Sequence, residues 1–68
     1  MPSISSRMII KALRADGWRK VSQEGSHVKF KHPTKPGRVV VPHPKRDLPL
    51  GTVLDIYGTA GLKPPWKR

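Results

Sequence analysis

The sequence predicts an α+β domain in the order helix, three strands, helix, with both helices on one face of a three-stranded antiparallel sheet. Three observations predict it. Two segments, 6–16 and 49–60, carry apolar residues at helical spacing. Between them lie three short stretches separated by only a few turn residues, too few for a parallel crossover, so the strands pair antiparallel. Two amphipathic helices must bury their stripes, and one sheet face is the natural place for both.

The first helix spans 6–16. Ser5 or Ser6 can cap it, and Gly17 follows the last periodic residue as a stop. Ile9, Ala12 and Leu13 share one face, while Arg7, Lys11 and Arg14 recur on the opposite one. Trp18 to Gln23 reads as the first strand, although its alternation is poor. Glu24-Gly25 reads as a turn. Ser26 to His32 is the clearest strand: Val28 and Phe30 share one face, and His27, Lys29 and Lys31 share the other. Pro33 to Gly37 is a loop. Arg38 to Val41 is a β-branched third strand, stopped by Pro42. The proline-rich run from Pro42 to Pro49 is an extended connection. In the second helix, with Asp47 or Leu48 near its cap, the expected apolar stripe is Leu50, Val53, Leu54, Tyr57 and Ala60, with Ile56 flanking it and Gly61 ending it. A basic tail begins at about residue 63 and contains Trp66.

Composition narrows the function. At 68 residues the chain holds one domain, 1–68. Fourteen Lys and Arg against four Asp and Glu give a net charge of +10, the mark of a polyanionic partner. There is no cysteine, which excludes a disulfide scaffold and Cys-based zinc sites. The longest apolar runs are Met8-Ile9-Ile10 and Val39-Val40-Val41, far short of the ~20 residues of a transmembrane helix. No membrane partner is expected, and the expected setting is cytoplasmic.

With Val28 and Phe30 turned inward, His27 lies on the open sheet face between Lys29 and Lys31. A histidine both takes and gives protons near neutral pH. Flanking cations hold a phosphodiester and stabilise charge on it. RNA carries its own nucleophile, the 2′-hydroxyl, so this set is sufficient for RNA cleavage without a metal. No cofactor and no metal site is expected, because His27, His32 and His43 are spaced five and eleven residues apart and the carboxylates are scattered. Ser26 neighbours His27 but belongs to the opposite face, so it serves the turn rather than acting as a nucleophile. Walker, GxSxG and paired-carboxylate signatures are absent.

Gly17-Trp18, Gly25-Ser26-His27, Phe30 and His32-Pro33, followed by Val41-Pro42-His43-Pro44, Asp47-Leu48-Pro49, Gly51-Thr52, Ile56 and Ala60-Gly61-Leu62, form an ordered set over residues 4 to 62. The set resembles the HicA toxins of HicAB toxin–antitoxin systems. The resemblance implies a double-stranded-RNA-binding-domain-like fold, α-β-β-β-α. It implies a toxin that cleaves mRNA as a metal-independent endoribonuclease. It implies that His27 of Gly25-Ser26-His27 is the catalytic residue, with Gly25 and Ser26 as the turn of the motif. It also implies a HicB-like antitoxin as partner, covering the active histidine. Many members carry a second histidine directly after the catalytic one; here Val28 occupies that position, on the inward face.

The roles of the cations rest on the face pattern alone. Lys29 and Lys31 are expected to hold phosphate, and Arg19 or Lys20 to extend the RNA path. The antitoxin is expected to place Asp and Glu opposite His27, Lys29 and Lys31 and opposite the Arg7, Lys11 and Arg14 stripe. The competing reading is a non-catalytic module that binds double-stranded RNA by shape and phosphate contact.

Overall fold

The structure, a computed structural model, describes residues 3–64. The end of the basic tail, Trp66 included, lies outside the described residues. The element order is α1 (Ser6–Ala15), β1 (Arg19–Glu24), β2 (His27–Lys31), β3 (Arg38–Pro42) and α2 (Leu50–Ala60). The strands form one antiparallel sheet in the order β1-β2-β3. This is the expected α+β architecture and is consistent with a double-stranded-RNA-binding-domain-like fold.

Local chemistry explains the boundaries. Ser5 caps α1, its hydroxyl accepting the Met8 N–H at 3.2 Å. The helix ends in a Schellman motif: Trp18 N–H donates to the Leu13 carbonyl at 2.9 Å, and Gly17 N–H to the Arg14 carbonyl at 3.0 Å. Gly17 sits at φ 103, a conformation that side chains other than glycine's resist. The same pair of bonds closes α2, from Leu62 to Tyr57 and from Gly61 to Gly58. Trp18, expected to begin β1, instead precedes it and is buried against the core.

The inner face of the sheet presents Val28, Phe30, Val39 and Val41, and these pack with Ile9 and Leu13 of α1 and Val53, Ile56, Tyr57 and Ala60 of α2. The stripe expected on α2 is therefore rotated. Leu50 and Leu54 are 45% and 42% exposed, while Ile56 is buried. Pro49 begins α2 without any side-chain cap, so neither Asp47 nor Leu48 serves there. Pro42 does not stop β3 short: it is the last residue of the strand, opposite His27. An edge strand tolerates the missing N–H. The 43–49 connection is stitched to the start of the chain by Ser6 N–H to Lys45 carbonyl and Leu48 N–H to Ile4 carbonyl bonds, both 2.9 Å. Ile4 and Leu48 are buried beside them.

β1 differs from its neighbours, with every residue exposed. Lys20 pairs with Phe30 and Gln23 with Val28, so the inner face of β1 is polar and has nothing to bury. Between them the register slips, leaving Val21 as the extra residue, 55% exposed. That bulge is the physical reason the strand's alternation looked poor.

Candidate functional site

Among the described residues no helix covers the outer face of the sheet. Directly paired residues share a face, so the register assembles Glu24 with His27, Ser22 with Lys29, Arg19 with Lys31, and Arg38 and Val40 of β3 beside them. His27 begins β2 immediately after the two-residue Gly25-Ser26 turn. The turn is anchored to the far end of β3 by His43 N–H donating to the Ser26 carbonyl at 2.7 Å. The backbone under His27 is thus held by both hairpins. Its imidazole is exposed and makes no hydrogen bond among the described residues.

Lys29 is half-buried on the same face, with Lys31 and Arg19 exposed farther along it. Lys29 Nζ lies 3.6 Å from the carboxylate of Glu24, whose side chain is 78% exposed. A pair that wet contributes little to stability. Glu24 is thus a weak, displaceable counter-ion at the hairpin end of the cationic face.

The expected phosphate path is divided. Arg19 belongs to the open face, opposite Lys31, but Lys20 lies opposite Phe30 and projects to the helix side. Adjacent strand residues alternate faces, so one of the two had to leave. Arg7, Lys11 and Arg14 are exposed on α1, which packs on the other side of the sheet from His27. The residues expected to meet an antitoxin therefore lie on opposite sides of the sheet: His27, Lys29 and Lys31 on one, the α1 stripe on the other.

The other histidines are structural. The His32 side chain is 9% exposed. Its Nδ1 accepts N–H bonds from Thr34 at 3.1 Å and Lys35 at 3.2 Å, so its proton sits on Nε2, which donates to the Asp16 carbonyl at 2.7 Å. The ring meets Trp18 edge-on, with centroids 5.3 Å apart. Lys35 donates to the Asp16 carboxylate and to the Ala60 carbonyl, joining the ends of both helices to this corner. Its ammonium is the main reason the Asp16 pKa lies below the ordinary 3.8, and partial burial works against that shift. The buried Trp18 indole N–H makes no hydrogen bond among the described residues. His43 turns inward, its Nδ1 2.7 Å from the hydroxyl of buried Ser6. Tyr57 is buried on the core-facing side of α2, and burial raises its pKa. None of these three groups reaches the His27 face.

The locking role of His32 was missed in the sequence, where it looked like a strand-end residue beside a proline. The one available signal was Gly17: a Cβ there would stand 2.9 Å from His32 Nε2. Among the described residues no three His, Asp or Glu side chains cluster in a way that could hold a metal ion, and no helix is long and apolar enough to cross a membrane.

What the arrangement can do chemically is bind a phosphodiester on an open face and move a proton there. No curated protein matches the chain. The family model described as the HicA toxin of bacterial toxin–antitoxin systems matches residues 6–62, which include the Gly25-Ser26-His27 turn and both helices. The chain therefore belongs to the HicA family of bacterial toxin–antitoxin toxins.

Proposed function

We propose that this toxin is an endoribonuclease that cleaves mRNA in the cytoplasm, and that His27 is its catalytic residue. The observation that carries the reading is the free imidazole of His27 on an uncovered sheet face among Lys29, Lys31 and Arg19. Lys29 and Lys31 hold the phosphate. His27 takes the proton of the 2′-hydroxyl, whose oxygen attacks the adjacent phosphorus. The bond to the 5′-oxygen breaks, and that oxygen is protonated as it leaves. His32, His43 and Tyr57 are engaged or buried elsewhere. The leaving oxygen therefore draws its proton from Lys29, from solvent, or from the imidazolium that His27 has just become. A single imidazole makes for a slow enzyme, which suits a toxin that must be held in check.

The partner is a HicB-like antitoxin. Inhibition needs only the His27 face, and a partner that inserts a carboxylate between Lys29 and Lys31 displaces Glu24 from its 3.6 Å pairing. Contact with Arg7, Lys11 and Arg14 as well requires an antitoxin that continues around the molecule.

The test compares wild type with His27→Ala on one RNA, in chelator, following binding and cleavage together. Equal binding with cleavage reduced by about 100-fold or more supports the reading. Binding by both proteins with no cleavage by either replaces it with the non-catalytic RNA-binding module.

A further inference from the structure

The inner face of β1 has no helix above it, because α1 and α2 pack over β2 and β3. Between α1 and β1 this leaves a groove of about 380 Å3. Arg7, Ile10 and Arg14 recur three and four residues apart and face it as one row. Lys20 enters from β1, Phe30 contributes to the apolar floor, and His43 closes one end. Among the described residues no acid lines the groove. None of Arg7, Arg14 or Lys20 is paired with a carboxylate among the described residues, whereas Lys29 and Lys35 are. Lys20 is held toward Gln23, its Nζ donating to the amide oxygen at 2.8 Å. The His43 ring is held by its 2.7 Å contact with Ser6, which itself accepts the Lys45 N–H at 2.9 Å. The remaining ring nitrogen, Nε2, has no partner among the described residues. The groove thus combines unneutralised cations, a fixed imidazole and an apolar floor.

Its position matters as much as its contents. Arg19 stands opposite Lys31 on the His27 face, and Lys20 stands opposite Phe30 on the groove side. These two consecutive residues carry positive charge over the outer edge of β1, so the cations of the two faces form one line: Lys31, Arg19, Lys20, Arg14, Arg7.

We propose that this groove is a second RNA-binding site, holding the phosphates of single-stranded RNA that flanks the linkage at His27. The inference rests on the nuclease reading above for what happens at His27, and on the groove for where the strand goes next. The strand passes over the β1 edge. A duplex is too wide and stiff for that turn, while a single strand makes it with its bases splayed and one of them free to lie against half-buried Ile10. An acidic peptide could be held by either face alone. A charge at every unit, continuous around an edge, matches a polynucleotide backbone.

The test uses a fluorescently labelled oligouridylate of about twelve residues, 2′-O-methylated throughout so that it lacks the nucleophile, and a second one of about three, too short to reach from His27 to the groove. Wild type, the triple variant Arg7→Gln/Arg14→Gln/Lys20→Gln and Lys11→Gln are titrated across salt. Lys11 is on α1 but outside the groove. The triple variant is expected to bind the long oligomer about tenfold more weakly, with the slope of log affinity against log salt reduced by about 2, while the short oligomer and Lys11→Gln show less than about twofold change. An unchanged slope, or equal losses on both lengths, overturns the proposal. So does a triple variant that keeps its RNA affinity but loses affinity for the antitoxin, which would make the groove a protein-docking site. Cleavage of unmodified RNA by wild type is scored separately: if it is absent while the groove-dependent slope remains, the nuclease reading fails and the groove stands.

Discussion

His27 and His32 lie five residues apart, the one opening β2 and the other directly following its last residue, and the structure treats them in opposite ways. His32 is enclosed by Trp18 and Gly17, accepts two backbone N–H groups on one nitrogen and donates from the other to the Asp16 carbonyl. Both ring nitrogens are spent on holding the end of α1 to the loop after β2. His27 is exposed, with neither nitrogen bonded among the described residues. A buried polar ring has to be satisfied or its burial is costly. An exposed ring on a rigid strand keeps both nitrogens for a substrate. The comparison teaches that availability, rather than residue type, separates a histidine that can meet a ligand from one that holds the fold together.

Exchanging the two losses gives the largest expected effects. His27→Ala removes activity by about 100-fold or more and leaves the melting temperature within a few degrees of wild type. His32→Ala does the reverse. It leaves the Asp16 carbonyl and two N–H groups without their partner beside a cavity, at a cost of about 3 kcal/mol. For a domain of this size that lowers Tm by more than about 10 °C. Cleavage measured well below that Tm should persist. Thermal melts beside a cleavage assay separate the two, and a His32→Ala protein that stays folded but inactive would break the comparison.

Gly17→Ala probes the same corner from the backbone. The residue sits at φ 103, and the added Cβ would lie 2.9 Å from His32 Nε2. Strain and clash together should cost about 2 kcal/mol, read as a lower urea midpoint with unchanged cleavage. Asp16→Asn is milder and depends on pH. The Lys35 ammonium holds the Asp16 pKa below its ordinary 3.8 in the folded state. The carboxylate's contribution is therefore present above that ordinary value and lost as pH falls through the lower folded one. The wild-type urea midpoint should exceed that of Asp16→Asn at pH 7, and the difference should shrink toward nothing at about pH 2. A difference that does not change with pH would mean that the Lys35 contact contributes nothing through charge.

The locked corner and the open face were not equally legible in the sequence. Val28 and Phe30 alternate with His27, Lys29 and Lys31 in a pattern that permits one reading, so the face bearing His27 followed from the twofold period of a strand. Gly17 and Gly61 marked both helix ends for the same kind of local reason. What escaped was long-range. The bulge at Val21 depends on how β1 meets β2, and it decides that Lys20 and Gln23, three residues apart, share the inner face. The turn of α2 that buries Ile56 and exposes Leu54 depends on where β3 lies beneath it. His32 needed Asp16, Thr34 and Lys35 around it before its role could be seen, and those contacts join segments that the sequence keeps apart. Periodicity reports a residue's face, while its hydrogen-bond partners come from the tertiary fold.

The smallest effect is expected where the open face is not wholly free. Glu24 is its only acid among the described residues, paired opposite His27 and 3.6 Å from Lys29 Nζ. The pair is wet, so Glu24→Gln should change stability by no more than about 0.5 kcal/mol. RNA must displace that carboxylate to reach Lys29, so the same variant should bind RNA a few-fold more tightly at low salt, with the advantage fading as salt rises. Fluorescence anisotropy on an uncleavable oligomer measures this directly. Unchanged affinity at every salt concentration would show that phosphate does not sit at Lys29 and would move the anion to Lys31 and Arg19, farther along the strand from His27. Tighter binding would fix the phosphate beside the imidazole, where proton transfer to and from a ribose oxygen requires it.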